Sequence, residues 1–480
     1  MGLWVVSRTR FDVARLKRVL DSSLSKSLMK KVLTTKTNNG KYLFEELLDA
    51  YADNSIPPAW KIRYYPVFKL LDVIRRSFNR DHETFRKELK HPTIRKIFRN
   101  AIRSLEKYGL GTPQAFADPL MIVWNFTNQC NLRCKHCYQD AGVLRGKPQV
   151  RELTTEEKFK VVDIIAERDI PSLFFSGGEP LIRPEFFDVA AYAKEKGIYL
   201  SIATNGTLIT REVARKIADI GFGYVQVSID AASPEKHDSF RGVPGMWERS
   251  VQGIKNLIDA GVITCIAYTH MRWNHDEFPK ILKLRKELGA YKVIVYNFIP
   301  VGRGDMENDP TPEEREELWK WMYDELDAGH HVVATTSPAF GAYCKMHNAP
   351  SIVLAHYADL KVKELGVIAD VIGGCGAGRC YFTIQPDGTV TPCVYMPDLS
   401  IGNILEDSFD YLWDEHPVMQ QLKRREETEC DCPYLAVCGG CRARALVYTG
   451  NLMGPDPECM FTRDLYYELR EKKEEFAWKS

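Results

Sequence analysis

The chain of 480 residues is 45% hydrophobic and 27% charged, which excludes a short peptide scaffold and leaves room for roughly two to four domains. Its 65 Lys and Arg against 64 Asp and Glu leave a net charge of +1, which gives no support to a nucleic-acid binder. The balance conceals an asymmetry: residues 1–110 carry 24 basic and 11 acidic side chains, a net +13, so the remainder sums to −12.

Residues 1–115 read as helical. Segments 66–78 and 91–110 place apolar residues at steps of three and four between bases, with breaks at Asn38, Asn39 and Gly40 and at Pro57 and Pro58. A basic amphipathic region of this kind lies on an anionic membrane, grips a phosphorylated substrate or docks on an acidic neighbouring domain; the acidic remainder of the chain favours docking. No run of about 18 uncharged apolar residues occurs, and the opening MGLWVVSRTRF lacks the character of a secretory signal. A cytoplasmic protein is expected, with membrane association through residues 1–110 left open.

From 116 to 330 short β-rich runs alternate with helical stretches. Candidate strands are 121–126, 172–177, 199–205, 224–230, 264–271 and 292–298. Capping boxes at Thr154 to Glu157 and Thr311 to Glu314, the latter with Pro312 at the first helical position, open two of the helices. Six β/α repeats imply a parallel sheet, doubly wound or curled into part of a barrel, with its chemistry at the C-terminal strand ends. Residues 331–372 read as a connector with a helix at 351–366. Residues 373–460 are rich in Cys, Gly and Pro, with a hairpin turning at Asp387 and Gly388, and 461–480 form a charged helix. The Cys-rich stretch has few large apolar residues and needs metal staples to hold its shape.

Eleven of the thirteen cysteines fall in two groups, which in a cytoplasmic chain points to metal or redox chemistry. Cys130, Cys134 and Cys137 form C-x3-C-x2-C on a loop directly after the first strand. Three thiolates on one loop occupy three corners of a [4Fe-4S] cube and leave one iron open to a small molecule, whereas a structural site recruits four ligands. With Tyr138 following, and Gly177, Gly178, Glu179 and Pro180 one β/α unit later, the chain resembles the radical SAM superfamily.

That resemblance implies a partial (β/α)6, TIM-like barrel, S-adenosylmethionine chelated at the open iron, and a low-potential electron donor such as a ferredoxin or flavodoxin. It also implies roles for further residues. The glycines of Gly177–Pro180 bring backbone close to the ligand, and Glu179 or the strand carbonyls accept from its ammonium group. Asn205, Ser228 and Asp230 reach the ribose hydroxyls, Arg241 pairs with the methionyl carboxylate, and Gly302 to Gly304 lie where the adenine rests.

The second group is Cys375, Cys380 and Cys393, then Cys430, Cys432, Cys438, Cys441 and Cys459. Eight thiolates make two complete sites, and the run resembles the SPASM extension of radical SAM enzymes. The family's interleaved order implies an inner cluster on Cys375, Cys380, Cys393 and Cys441 and an outer one on Cys430, Cys432, Cys438 and Cys459, three [4Fe-4S] clusters in all. Cys430-x-Cys432 departs from the usual C-x2-C, and the step from Cys438 to Cys441 is one shorter than in some members. Where sulfatase-maturing relatives place an acidic base after the third inner cysteine, this chain has Val394. Cys265 reads as a buried thiol in a strand. Cys344 is a candidate catalytic or hydrogen-donating thiol beside Tyr343 and His347, while His237, His330 and His331 read as surface or loop histidines.

The expected activity is hydrogen abstraction from an unactivated C–H bond by a 5′-deoxyadenosyl radical, with the extension carrying electrons. A peptide or protein side chain is the first substrate reading. Haem, tetrapyrrole or other cofactor biosynthesis is the second, because the 438–445 string resembles haem-biosynthesis relatives that decarboxylate or oxidise propionates. Membrane lipid modification is the third, and a non-catalytic iron–sulfur electron carrier is the rival from another class.

Overall fold

The computed structural model describes residues 21–77, 80–111, 113–142, 151–328, 332–347 and 373–471. The helix expected at 351–366, His330 and His331 lie outside the described residues. Internal contacts divide the chain into two units, Met1–Ala117 and Asp118–Ser480.

The described part of the first unit is helical. Its helices span Ser23–Thr34, Leu43–Ala52, Pro58–Arg63, Tyr65–Ser77, His82–Glu88 and Pro92–Tyr108. Pro58 and Pro92 stand at first helical positions, where a missing N–H leaves no intrahelical bond unmade. Asp81 caps His82–Glu88 by accepting from the Thr84 N–H at 2.9 Å. Phe44, Leu47, Leu71, Phe98 and Ile102 are buried on the apolar faces. Part of the basic surplus is neutralised internally, since Arg95 and Arg99 bind Glu45 at 3.1 and 2.5 Å and Arg95 also binds Asp49 at 2.5 Å.

The second unit is built on one sheet. Its strands are β1 Met121–Asn125, β2 Ser172–Ser176, β3 Tyr199–Thr204, β4 Tyr224–Ser228, β5 Thr264–His270, β6 Lys292–Asn297, β7 Val332–Thr335, β8 Tyr381–Ile384, β9 Thr389–Thr391 and β10 Gly402–Asn403. They run in the order β10-β9-β8-β1-β2-β3-β4-β5-β6-β7. The six expected strands lie side by side and parallel. Both capping boxes are closed, at Thr154 with Glu157 and at Thr311 with Glu314.

The sheet extends further at both edges than six repeats require. At one edge β7 adds a seventh parallel strand inside the stretch read as connector. At the other, the expected hairpin forms as β8 and β9, but β8 also pairs in parallel with β1, Met121 opposite Tyr381 and Trp124 opposite Ile384. The Cys-rich extension is thereby joined to the sheet through backbone hydrogen bonds.

Period-two alternation then divides the strand side chains. Trp124, Phe175, Ile202, Val227 and Ile266 enter the main apolar core, while Val123, Phe174, Gln226, Ala267 and Tyr296 face a cavity on the other side. Cys265 is fully buried in β5, as its strand position suggested.

Candidate active site

The cavity at the C-terminal strand ends encloses about 1260 Å³, its solvent mouth included, and touches residues of β1 to β6 and β8. Cys130, Cys134 and Cys137 all line it, on the loop after β1. The loop is strapped on several sides. The Gly178 N–H donates to the Thr127 carbonyl at 2.7 Å and the Glu179 N–H to the Gln129 carbonyl at 2.8 Å. A Cβ on Gly178 would stand 2.1 Å from the Gln129 carbonyl oxygen, so only glycine permits this approach. From the helix Pro234–Arg241, the carbonyls of Arg241 and Phe240 accept from the N–H groups of Arg133 and Lys135.

Arg303 was not singled out by the sequence, yet it ties the loop down most heavily. Its N–H donates to the Cys137 carbonyl at 3.0 Å, its Nε to the Cys134 carbonyl at 3.0 Å and its Nη1 to the Ala141 carbonyl at 2.7 Å. Asn131 was likewise missed; it accepts from Asn205 and donates to Thr207, each at 2.8 Å. The only signal for either was proximity in sequence to a motif residue.

Among the residues expected to bind the small molecule, Tyr138, Gly177, Gly178, Asn205, Ser228 and Arg241 line the cavity. Tyr138 donates to Asn125 at 3.1 Å and bonds Ser176 at 2.9 Å. The structure places several of the other expected residues away from the cavity lining. Glu179 is fully buried and turned away, its carboxylate accepting from the Thr204 hydroxyl at 2.8 Å and the Asn205 N–H at 2.7 Å. Burial pushes its carboxyl up to about 7 against those donors. Glu179 therefore shapes the end of β3 and is not among the residues lining the cavity, and buried Pro180 opens the short turn beside it.

Asp230 is also fully buried; its Oδ2 accepts from Arg241 at 2.9 and 2.6 Å and its Oδ1 from the Thr269 N–H at 3.2 Å. Burial is the largest influence and would raise this carboxyl, but Arg241, the nearby His136 and His237 and the Thr269 N–H together make the net shift downward. Asp230 thus orients Arg241, whose Nη1 lies 3.7 Å from Cys134 Sγ, and does not line the cavity. Gly302, at φ +62°, packs under the loop, where a Cβ would stand 2.4 Å from the Cys137 carbonyl oxygen; Phe298 and Ile299 line the cavity on that side. Cys344 is fully buried in the helix Ala339–Met346 within the apolar core, and burial pushes its thiol up to about 12. It does not line the cavity.

His237 is no surface histidine. It is fully buried and its Nδ1 accepts from the Asp230 N–H at 3.2 Å. His136, between two of the loop cysteines, lines the cavity and stacks on Phe240 with centroids 4.9 Å apart. Burial lowers it to about 4, so it stays neutral at physiological pH.

In the extension, Cys430, Cys432, Cys438 and Cys459 line one small pocket together with Arg442 and Asp456. Of the other four, Cys393 and Cys441 are buried and Cys375 and Cys380 half-buried, with the Cys375 N–H donating to the Cys438 carbonyl at 3.2 Å. Two observations fit iron–sulfur ligation. Backbone N–H groups point at the sulfurs of Cys130, Cys137, Cys432, Cys438 and Cys441 from 3.4–3.5 Å, the donors that thiolate ligands accept. Arg425 is buried at 1% exposure with its Nε and Nη1 unbonded, a cation that requires anionic charge beside it. Burial pushes the Cys375 thiol up, yet Arg425 and Arg442 with backbone donors reverse the net shift to favour thiolate. Among the described residues no three His, Cys, Asp or Glu side chains converge on a single metal-sized point. A four-iron cube carries its thiolates on outer corners, so its ligands ring a volume.

A buried polar core fastens the extension to the sheet. Arg444 binds Glu458, which also accepts from Asn297 at the end of β6 and from the Ser337 hydroxyl. Arg444 Nη2 donates to the Phe298 carbonyl at 2.9 Å.

A family model for the radical SAM superfamily matches residues 124–285, and one for the iron-sulfur cluster-binding domain SPASM matches residues 375–442. The chain is 36% identical over 347 residues to the AdoMet-dependent heme synthase of Methanosarcina barkeri, covering 72% of this chain and 97% of that protein. It is 31% identical over 353 residues to the mycofactocin maturase MftC of Mycolicibacterium smegmatis, covering 71% and 83%. The crystal structure of Streptococcus suis SuiB shares the fold, with a TM-score of 0.60 at 16% identity over 88% of this chain and 95% of that one. The chain belongs to the radical SAM superfamily. Within it, the chain is an enzyme of the SPASM-bearing group, and a non-catalytic electron carrier is set aside.

Proposed function

We propose that the enzyme acts in cofactor biosynthesis, removing hydrogen from a carboxylate-bearing side chain of a haem-type tetrapyrrole so that the carboxylate leaves as CO₂. The observation that carries this reading is the cavity wall. Among the described residues lining it there is no Asp and no Glu; Tyr138, Tyr296, Tyr381, Tyr395 and Phe174 dominate it, and Val394 stands where an acidic base is placed in other relatives. An oxidation that expels a proton from carbon needs a base, and the lining offers only the neutral His136, a weak one that burial holds at about 4 and that stacks on Phe240. Loss of a hydrogen atom followed by departure of CO₂ and one electron turns a propionate into a vinyl group and needs none. A planar macrocycle suits a wide aromatic wall, and the heme synthase relative favours this substrate over the peptide side chain expected first.

Bound at the three cysteine sites, S-adenosylmethionine and three [4Fe-4S] clusters supply the 5′-deoxyadenosyl radical and a place for the departing electron. The chain's own residues do the rest. Cys130, Cys134 and Cys137, which line the cavity, would hold the first cluster there. Arg241, fixed by Asp230, presents a guanidinium for the methionyl carboxylate, and Asn205 and Ser228 offer polar groups for the ribose. His136 stays neutral, so it places no second cation there. Reduction requires an external low-potential donor. A carboxylate-bearing peptide is the second reading, favoured by the maturase relative.

Binding separates the two. Titration of the reconstituted enzyme with an iron tetrapyrrole bearing propionates shifts the Soret band with saturation, and Tyr296→Asp in the cavity wall abolishes it. Absence of saturable binding in the wild type contradicts the tetrapyrrole reading.

A further inference from the structure

We propose that Tyr381 is a positioning residue that couples the substrate cavity to the inner cluster, its phenol hydrogen-bonding the Cys393 sulfur and raising the reduction potential of the cluster that sulfur holds. The inference deepens the function above and rests on Cys393 being a cluster ligand.

Tyr381 opens β8, the strand that joins the extension to β1, so backbone pairing with Met121 fixes its position. Its side chain lines the cavity that the three loop cysteines also line. Its Oη lies 3.0 Å from Cys393 Sγ, and Cys393 is buried at 5% exposure. One phenol therefore meets substrate space on one side and a ligand sulfur on the other. Val394 and Tyr395 complete this wall, and Tyr395 packs on Tyr138, the neighbour of Cys137, with ring centroids 5.2 Å apart.

The phenolic O–H donates and the thiolate accepts. Reduction adds negative charge to the cluster and its sulfurs, so a donor at a sulfur stabilises the reduced state more than the oxidised one and raises the potential. Low dielectric around the buried Cys393 strengthens the effect. A substrate that loses a hydrogen atom, then CO₂ and one electron, leaves the inner cluster one electron more reduced, and an external one-electron acceptor must remove that electron. A higher potential at Cys393 favours the transfer from a substrate bound against Tyr381.

The test uses the full chain in a Cys130→Ala, Cys134→Ala, Cys137→Ala background, which leaves only the auxiliary clusters, with potentials read by EPR-monitored redox titration. Tyr381→Phe is expected to move one auxiliary midpoint to more negative potential and leave the other in place. Tyr395→Phe, in the same wall but without that sulfur contact, is expected to move neither. Replacing Tyr381 by 3-fluorotyrosine, a stronger donor of the same shape, is expected to move the same midpoint the opposite way, and this variant serves if Tyr381→Phe loses iron. In the chain with its loop cysteines intact, Tyr381→Phe is expected to form 5′-deoxyadenosine with less product per turnover.

Unchanged midpoints in Tyr381→Phe with full iron content, or no shift with fluorotyrosine, would overturn the proposal. Cys393→Ala that keeps all its iron would instead overturn the ligand reading beneath it, so the two failures are distinguishable.

Discussion

The loop at Cys130–Cys137 and the extension after residue 373 both hold cysteines around buried charge, and they enclose it differently. The loop thiols have two guanidiniums close by, Arg241, which Asp230 already shares, and Arg303, which donates to loop carbonyls, and they face a cavity open to solvent. The extension sets four almost fully buried arginines among its eight cysteines, Arg379, Arg425, Arg442 and Arg444, the last of them bonded to Glu458. Four thiolates on a [4Fe-4S]²⁺ core carry a net charge of about −2, so a closed site needs cations from the protein. A site that exchanges a zwitterionic ligand must leave room and charge for it. The extension thus keeps more arginine around its cysteines than the loop does, as the proposed division between an open and a fully ligated site requires.

Removing the loop ligands should have the largest effect. Cys130→Ala, Cys134→Ala and Cys137→Ala together are expected to abolish 5′-deoxyadenosine formation while iron falls only from about twelve to about eight per chain, measured by chromatography and iron analysis. Loss of all iron would show that the two regions do not fill independently.

The closed region is attacked through its cations. Arg425→Met leaves buried thiolates without their counter-charge, a change that costs about 3–5 kcal/mol, and is expected to lower the melting temperature and remove about four irons. The same substitution with unchanged iron would break the charge-enclosure explanation. On the open side, Arg303→Ala frees the carbonyls of Cys134 and Ala141 from a charged donor. Hydrogen bonds of that kind contribute about 1.5–3 kcal/mol, so the affinity for S-adenosylmethionine is expected to fall roughly tenfold or more by equilibrium dialysis.

The smallest effect concerns pH. Burial raises Glu179 from 4.5 to about 7. A group raised in the folded state gives stability that is full below its unfolded value and is lost as pH rises through the folded one. The wild type is therefore expected to lose about 1 kcal/mol of stability from this group between about pH 6 and 8, and Glu179→Gln to lose less, measured by denaturant titration. Equal slopes would place the Glu179 carboxylate outside the buried network.

Much of this was legible in the chain. Each of the six strands announced itself by β-branched and aromatic runs, and both capping boxes by Thr and Glu three residues apart. The pairing of β8 with β1 was not legible, because it joins Met121 to Tyr381 across a long sequence separation and no local pattern encodes a partner. At the site, thiol spacing identifies the loop, but it does not show that Asp230 and Glu179 are engaged by neighbours and stand outside the cavity lining. A polar side chain at a strand end is available to a ligand only if no neighbour uses it, and here Arg241, Thr204 and the Asn205 backbone do. Arg303 was invisible for the converse reason: its targets are backbone carbonyls, which carry no residue identity.

The most direct measurement is anaerobic turnover of the reconstituted enzyme with dithionite, S-adenosylmethionine and an iron tetrapyrrole bearing propionates, followed by mass spectrometry. Formation of 5′-deoxyadenosine together with a product that has lost hydrogen and CO₂ from a propionate is the predicted result. Production of 5′-deoxyadenosine with the tetrapyrrole bound and unchanged would contradict the account.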